Sequence, residues 1–280
     1  MRPPSDPSFD AFHQEYARKY KLLFPYVPEL IAIHCGLRPA LQLSVGPDAE
    51  AARASIADFC ARAGLRWSSY ESEHGGRIVI SREPVEIPES GEAFGALFGY
   101  PGCCSRAPRP DRPFDRLAGF WTESPAPFET NLFLRTTPFH LVKHLPCAPD
   151  CAATLAAARE LLIAIDRVDA RLGEIIRALG RAPAFSTDIG GIGVSLRGRR
   201  DGGRVRYRER YFDVGLSGLI DSTRFARPGD SALFARIARA LAAGDELALV
   251  AGRLEIFKDG SPVDAIEKPS RLEWRIVEFR

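Results

Sequence analysis

From Cys151 to Gly180 the chain reads CAATLAAARELLIAIDRVDARLGEIIRALG. Leu155, Leu162, Ile165, Val168, Leu172, Ile175 and Leu179 recur there at the three-and-four spacing of one buried helical face. The spacing predicts one helix running to about Leu179, with Gly180 as its stop. At 1.5 Å per residue it spans roughly 40 Å, enough to cross a domain. Such a helix is a spine for the remaining elements, and at its head stands a cysteine.

Working back from that cysteine, Thr137 to Cys151 reads TPFHLVKHLPCAPDC. Thr137 suits an N-cap and Pro138 the first helical position. A short helix from Pro138 to Leu145 would set His140 and His144 on one face. Pro146 ends it, because the residue before a proline is pushed out of the helical region. Cys147 and Cys151 then fall at or near the head of the long helix, where the macrodipole and free N–H groups favour a thiolate. The matching segment is GYPGCC, Gly99 to Cys104, a loop whose glycines let the backbone bend round an ion or cluster.

Any one of these cysteines alone reads most simply as a small buried hydrophobe. A lone histidine is likewise an ordinary core or surface residue. Cys103, Cys104, Cys147 and Cys151 together, in two loops punctuated by Pro and Gly, point instead to a shared site. The adjacent pair is expected to divide roles, one thiol binding and the other standing beside it as a redox-active neighbour. A vicinal disulfide is the lesser alternative.

The whole chain sets the bounds. Its 280 residues are 45% hydrophobic and 26% charged, ordinary globular values with room for one large domain or two smaller ones. A net charge of +2 gives no global field that demands a nucleic acid or an anionic membrane. The opening MRPPSDPSFDAF has no apolar leader, and no stretch approaches about 18 uninterrupted apolar residues. The expectation is a cytoplasmic protein that stays off the membrane. In that compartment clustered cysteines signal metal or redox chemistry more often than disulfides.

Outward from the spine, the N-terminal half reads as an α/β layer. Phe12, Tyr16, Tyr20 and Leu23 mark a first helix, and ELIAIHCG continues to Gly36, with His34 and Cys35 expected in the core. RPALQLSV is a strand, a helix follows to Ala63 with Cys60 as a buried filler, and RWSSYES and RIVISRE are two more strands. Residues 105 to 136 are Pro-rich and aromatic, either a long loop held down by its rings or a lid over the cysteines. Asn131 and Arg135 lie close enough in sequence to orient a bound anion there. Beyond residue 181 the pattern turns to period two. A hairpin round Asp201-Gly202-Gly203 carries Arg204, Arg206, Arg208 and Arg210 on one face of its second strand, then come one helix and three further strands. A solvated outer face is the plainer reading of that arginine row; a grip on phosphate is the sharper one. The fold class is α+β: an N-terminal α/β layer, a long central helix, and a C-terminal antiparallel sheet with one helix. The domain division is 1–180 and 181–280.

The pattern GYPGCC followed by HLPCAPDC resembles an uncharacterised family, domain of unknown function 483. Gly99, Tyr100, Pro101, Cys103, Cys104, His144, Pro146, Cys147 and Cys151 carry the resemblance, which covers roughly residues 95 to 155. It implies a shared site and no particular activity. From the residues themselves, a [4Fe–4S] cluster held by Cys103 or Cys104 with Cys147 and Cys151 accommodates the irregular spacing, with His144, then His140, as further ligand or proton donor. The open iron would serve a redox, lyase or sulfur-transfer reaction on a small molecule, or exchange electrons with a redox partner protein. The alternatives are a zinc-stabilised module that binds an anionic partner, and a metal-free dithiol relay. Nucleic acid is the less expected partner, given the charge.

Overall fold

The computed structural model describes residues 9–44, 49–72, 75–88, 91–107, 125–134, 137–187, 193–211 and 229–280. Helix α1 (Phe9–Tyr20), a 3-10 segment (Lys21–Tyr26) and α2 (Val27–His34) lead to β1 (Ala40–Ser44), α3 (Ala49–Ala63), β2 (Arg66–Ser72) and β3 (Gly75–Ser81). Two short helices, α4 (Gly91–Leu97) and α5 (Gly102–Arg106), precede the spine, which is α6 (Ala152–Val168) and α7 (Ala170–Gly180). Then come β4 (Ala184–Ser186), β5 (Gly193–Asp201), β6 (Arg204–Tyr211), α8 (Asp230–Ala243), β7 (Glu246–Val250), β8 (Arg253–Lys258), β9 (Ser261–Glu267) and β10 (Arg275–Val277).

The spine is therefore two helices and not one. Asp169 breaks it: its backbone is extended (φ −154°), and its carboxylate caps α7 by accepting the Leu172 N–H at 3.0 Å. The Tyr16 hydroxyl donates to the same carboxylate from α1. Arg177 then reaches Asp166 at 2.9 Å, a pair too far apart in a straight helix, so α7 folds back along α6. Val168, counted in the predicted apolar stripe, is 53% exposed because the break turns it outward.

β1, β3 and β2 form a three-stranded antiparallel sheet in that order. α2 and α3 cover one face of it through Ile33, Ile56 and Cys60, and Phe98 packs on Ala40 and Val79. Cys60 is buried as expected; His34 and Cys35 are not, since Gly36 (φ +73°) ends α2 and leaves both exposed.

The second sheet has seven antiparallel strands in the order β10-β4-β5-β6-β7-β8-β9. α8 covers one face, with Ile237 and Leu241 against Val205, Tyr207 and Leu254. The opposite face, at the β4 end, meets α1, α6 and α7 in a core that includes Phe12, Phe139, Ile165, Tyr211 and Val277. That core draws residues from both sides of position 180. A backbone strap also joins distant segments: Ala126 N–H to Glu278 carbonyl at 2.9 Å, Phe128 N–H to Arg280 carbonyl at 3.1 Å.

The β5–β6 hairpin corrects the arginine row. Arg197 pairs with Glu209 but Gly198 with Tyr207, so Arg208 is the extra residue of a β-bulge. A bulge reverses the in–out alternation beyond it. Val205 and Tyr207 enter the core beneath α8, whereas Tyr211 enters the other core. Arg204 and Arg206 therefore share one face, and Arg210, opposite Leu196, belongs to the other.

Candidate metal centre

The Cys103–Cys104 pair sits in the first turn of α5 and not in an open loop. Pro101 precedes that turn, and its carbonyl accepts from Cys104 N–H (2.9 Å) and Ser105 N–H (3.0 Å). α5 lies against α4 at Gly95, where a Cβ would stand 2.1 Å from Ser105 Oγ. Glycine at that position is what allows the close approach.

Cys147 and Cys151 come from a segment without the expected 138–145 helix. From Thr137 to Asp150 the chain runs through turns and bends. Thr137 caps a turn instead, its hydroxyl accepting from Phe139 N–H at 3.1 Å. Phe139, Leu141 and Val142 are all buried, facing directions that one helix face could not serve. Cys151 is the N-cap residue of α6, as the sequence predicts.

All four sulfurs lie within 4.8 Å of one another, and no other group among the described residues gathers ligand atoms so closely. Cys103 and Cys104 are each 3.6 Å from Cys151, and 3.8 Å from each other. The adjacent pair thus faces one centre with both thiols. Four such sulfurs can hold a metal ion. Cys104 and Cys151 are buried, Cys103 and Cys147 exposed, so the centre has one face toward solvent.

Donors surround the sulfurs. The Cys147 N–H points at Cys104 Sγ (3.4 Å), and the fully buried Thr154 hydroxyl lies 3.3 Å from the same sulfur. Burial pushes the Cys151 thiol up, but the Thr154 hydroxyl and N–H, with Cys147 and Cys103, bring it down to about 6. Cys104 is raised by burial, and Cys147 is pushed to about 12 by burial and its sulfur neighbours. Cys151 is therefore a thiolate ahead of Cys104 and Cys147.

His144 stands one step behind. Its Nε2 is 3.0 Å from Thr154 Oγ1, and its ring lies 4.9 Å from that of Tyr100. The Thr154 hydroxyl thus stands between the two, within hydrogen-bond distance of Cys104 Sγ and of His144 Nε2. Burial, then the Arg38 charge, hold His144 down at about 4, so the ring is neutral at pH 7.

The remaining predicted residues are placed elsewhere. His140 turns one ring nitrogen to the Thr137 carbonyl and the other to Glu29 Oε1 (2.7 Å). Asn131 donates to the Gly180 carbonyl (3.0 Å) and accepts from Phe133 N–H (3.1 Å), tying its segment to the end of α7. Arg135 lies outside the described residues, as does most of the 105–136 segment read as a lid.

Sequence reasoning missed Thr154, Glu29 and Arg38. Thr154, at the third helical position after a cysteine N-cap, was legible as a donor toward that cysteine. Glu29 is a lone acid inside the apolar run VPELIAI, a signal that it has buried partners. Arg38 carried no such mark.

No helix among the described residues is long and apolar enough to cross a membrane. Comparison of the chain with protein-family models, with curated proteins and with solved structures finds no match.

Proposed function

We propose that Cys103, Cys104, Cys147 and Cys151 hold one zinc ion that fastens α5 and the 137–151 segment to the head of α6. The observation that carries this is the sulfur spacing. A tetrahedral ion with zinc–sulfur bonds of about 2.3 Å sets its ligand sulfurs about 3.8 Å apart; the separations among Cys103, Cys104 and Cys151 are 3.6 to 3.8 Å, and Cys147 completes a set whose sulfurs all lie within 4.8 Å of one another. A [4Fe–4S] cube places an iron behind each ligand and sulfide between the irons, which spreads the cysteine sulfurs well beyond such contact. Four protein thiolates also close the coordination shell, the arrangement of a structural ion and not of a catalytic one. The motif resemblance to domain of unknown function 483 rests on the same cysteines and belongs to this proposal.

The module so stabilised is read as a binder of an anionic partner. The support is a cavity of about 1180 Å³ beside the bulge, lined by seven basic side chains, Arg199 and Arg210 among them, and four acidic ones. Excess guanidinium in a groove favours phosphate or carboxylate.

The test is metal analysis of protein purified without oxygen. One zinc per chain and a colourless solution are expected. Iron with acid-labile sulfide and a brown solution would replace the zinc reading with a cluster. No metal, with thiols lost to disulfide, would replace it with a dithiol relay.

A further inference from the structure

A second constellation lies beside the first and involves none of the sulfurs. Between α2, β1 and the turn after α4 is a cavity of about 150 Å³, lined by Glu29, Arg38, Gln42, Phe98, Tyr100 and Lys143 among others. Glu29 is 4% exposed. Its Oε1 takes the His140 Nε2–H at 2.7 Å and stands 4.0 Å from Lys143 Nζ. Its Oε2 is buried and has no hydrogen-bond partner among the described residues. Burial alone would raise this carboxyl, but His140, Lys143 and Arg38 outweigh it and hold it at about 2. The orphan oxygen is thus a charged acceptor without a donor, a costly state to leave unanswered.

Arg38 supplies the opposite need. It is 8% exposed, and among the described residues its side chain is recorded donating one long hydrogen bond, to the Leu141 carbonyl at 3.4 Å. A guanidinium has five N–H donors. Its aliphatic stem passes over Gly99, where a Cβ would come within 2.8 Å of Arg38 Cγ. Gly99 is also left-handed (φ +70°), so two separate constraints require glycine there and keep the arginine in place. Lys143, partly exposed and over the Tyr26 ring at 4.8 Å, stands at the rim.

One wall therefore offers a negative acceptor and another offers positive donors. A simple anion would satisfy Arg38 and leave Glu29 Oε2 bare; a simple cation would do the reverse. We propose that the cavity binds a small zwitterion, an α-amino acid with a short side chain, its ammonium set against the Glu29 carboxylate and its carboxylate accepting from Arg38 and Lys143. The volume suits this, since about 150 Å³ is the share of about five waters.

The experiment is calorimetric titration of the full chain with glycine, L-alanine and L-serine, and with acetate and methylammonium as half-ligands. At least one amino acid is expected to bind one to one, with each half-ligand about ten-fold weaker or worse. Glu29→Gln is expected to weaken binding about ten-fold or more. Because a buried substitution can unfold the chain, Lys143→Met at the rim is the second variant; it should keep the wild-type circular dichroism and also bind less tightly. No heat with any of the three amino acids, acetate binding as tightly as they do, or folded variants binding like wild type would each overturn the proposal. Metal content measured on the same samples keeps the result separate from the fate of the sulfur site.

Discussion

The cysteine centre and the arginine-lined groove are both clusters of like groups, and they are settled in opposite ways. Around the sulfurs there are N–H and hydroxyl donors but, among the groups that bond them, no cation. In the groove, acids are interleaved with the arginines. Glu246, 4% exposed, takes Arg204 and Arg206 at 2.6 Å each, and Glu209 takes Arg197 at 3.1 Å. A cluster neutralised from within needs nothing further to fold. A cluster of thiols turned on one point with no internal counter-charge leaves room for an outside one. The difference teaches which ion the fold itself depends on: the one at the group whose own side chains do not balance it, whereas the groove can fold without its ligand.

The sharpest way to break this contrast is to remove a sulfur. Cys104→Ser and Cys151→Ser should each abolish stoichiometric metal and lower the melting temperature by about 10 °C, the scale of a lost structural ion in a chain this size. Metal analysis and a thermal melt check both. Wild-type stability in either variant would mean that the sulfurs are merely packed together.

Removing the internal counter-charge comes next. Glu246→Gln should cost about 1 to 2 kcal/mol, because the carboxylate is buried but both arginines reach solvent. Urea unfolding measures it. The same variant should bind a polyanion such as heparin more tightly, since the groove gains one unit of positive charge.

A pH series sharpens the contrast from the histidine side. His144 is held at about 4 when folded, against an ordinary 6.5. Between those values the unfolded chain takes up a proton that the folded chain refuses, so stability falls as pH drops from 6.5 toward 4. Urea midpoints of metal-free protein over that range should show the decline, and His144→Asn should flatten it. An unchanged slope in the variant would assign the decline to other groups.

The smallest effect is expected at Arg199, which is exposed on β5 and lines the groove. Arg199→Ala should leave stability within about 0.5 kcal/mol of wild type, yet weaken heparin binding measurably. A stability loss of the size seen for Glu246→Gln would show that Arg199 has a structural partner.

Much of this was legible in the sequence. The cysteine segments could be paired because nothing else explains four thiols between prolines and glycines. Period-two patterning marked the hairpin, and α8 follows its apolar face. What sequence could not show were the events set by partners far away. The spine breaks at Asp169 because Tyr16, from α1, holds its carboxylate, while the apolar spacing on either side stays in phase. The bulge at Arg208 leaves no local signature, yet it sends Arg210 to the opposite face from Arg204. His140 belongs to Glu29, 111 residues earlier, a pairing that no motif near either residue announces.

The strap that joins Ala126 and Phe128 to Glu278 and Arg280 bears on the order in which the molecule is built. On a ribosome, residue 151 is made well before residue 278, by roughly ten seconds at ordinary speeds of synthesis. During that interval the thiols of the nascent chain are all present while the segment leading toward them still lacks its backbone mate. Whatever the sulfurs capture can therefore be in place first, and the sheet closes afterwards onto a corner already made.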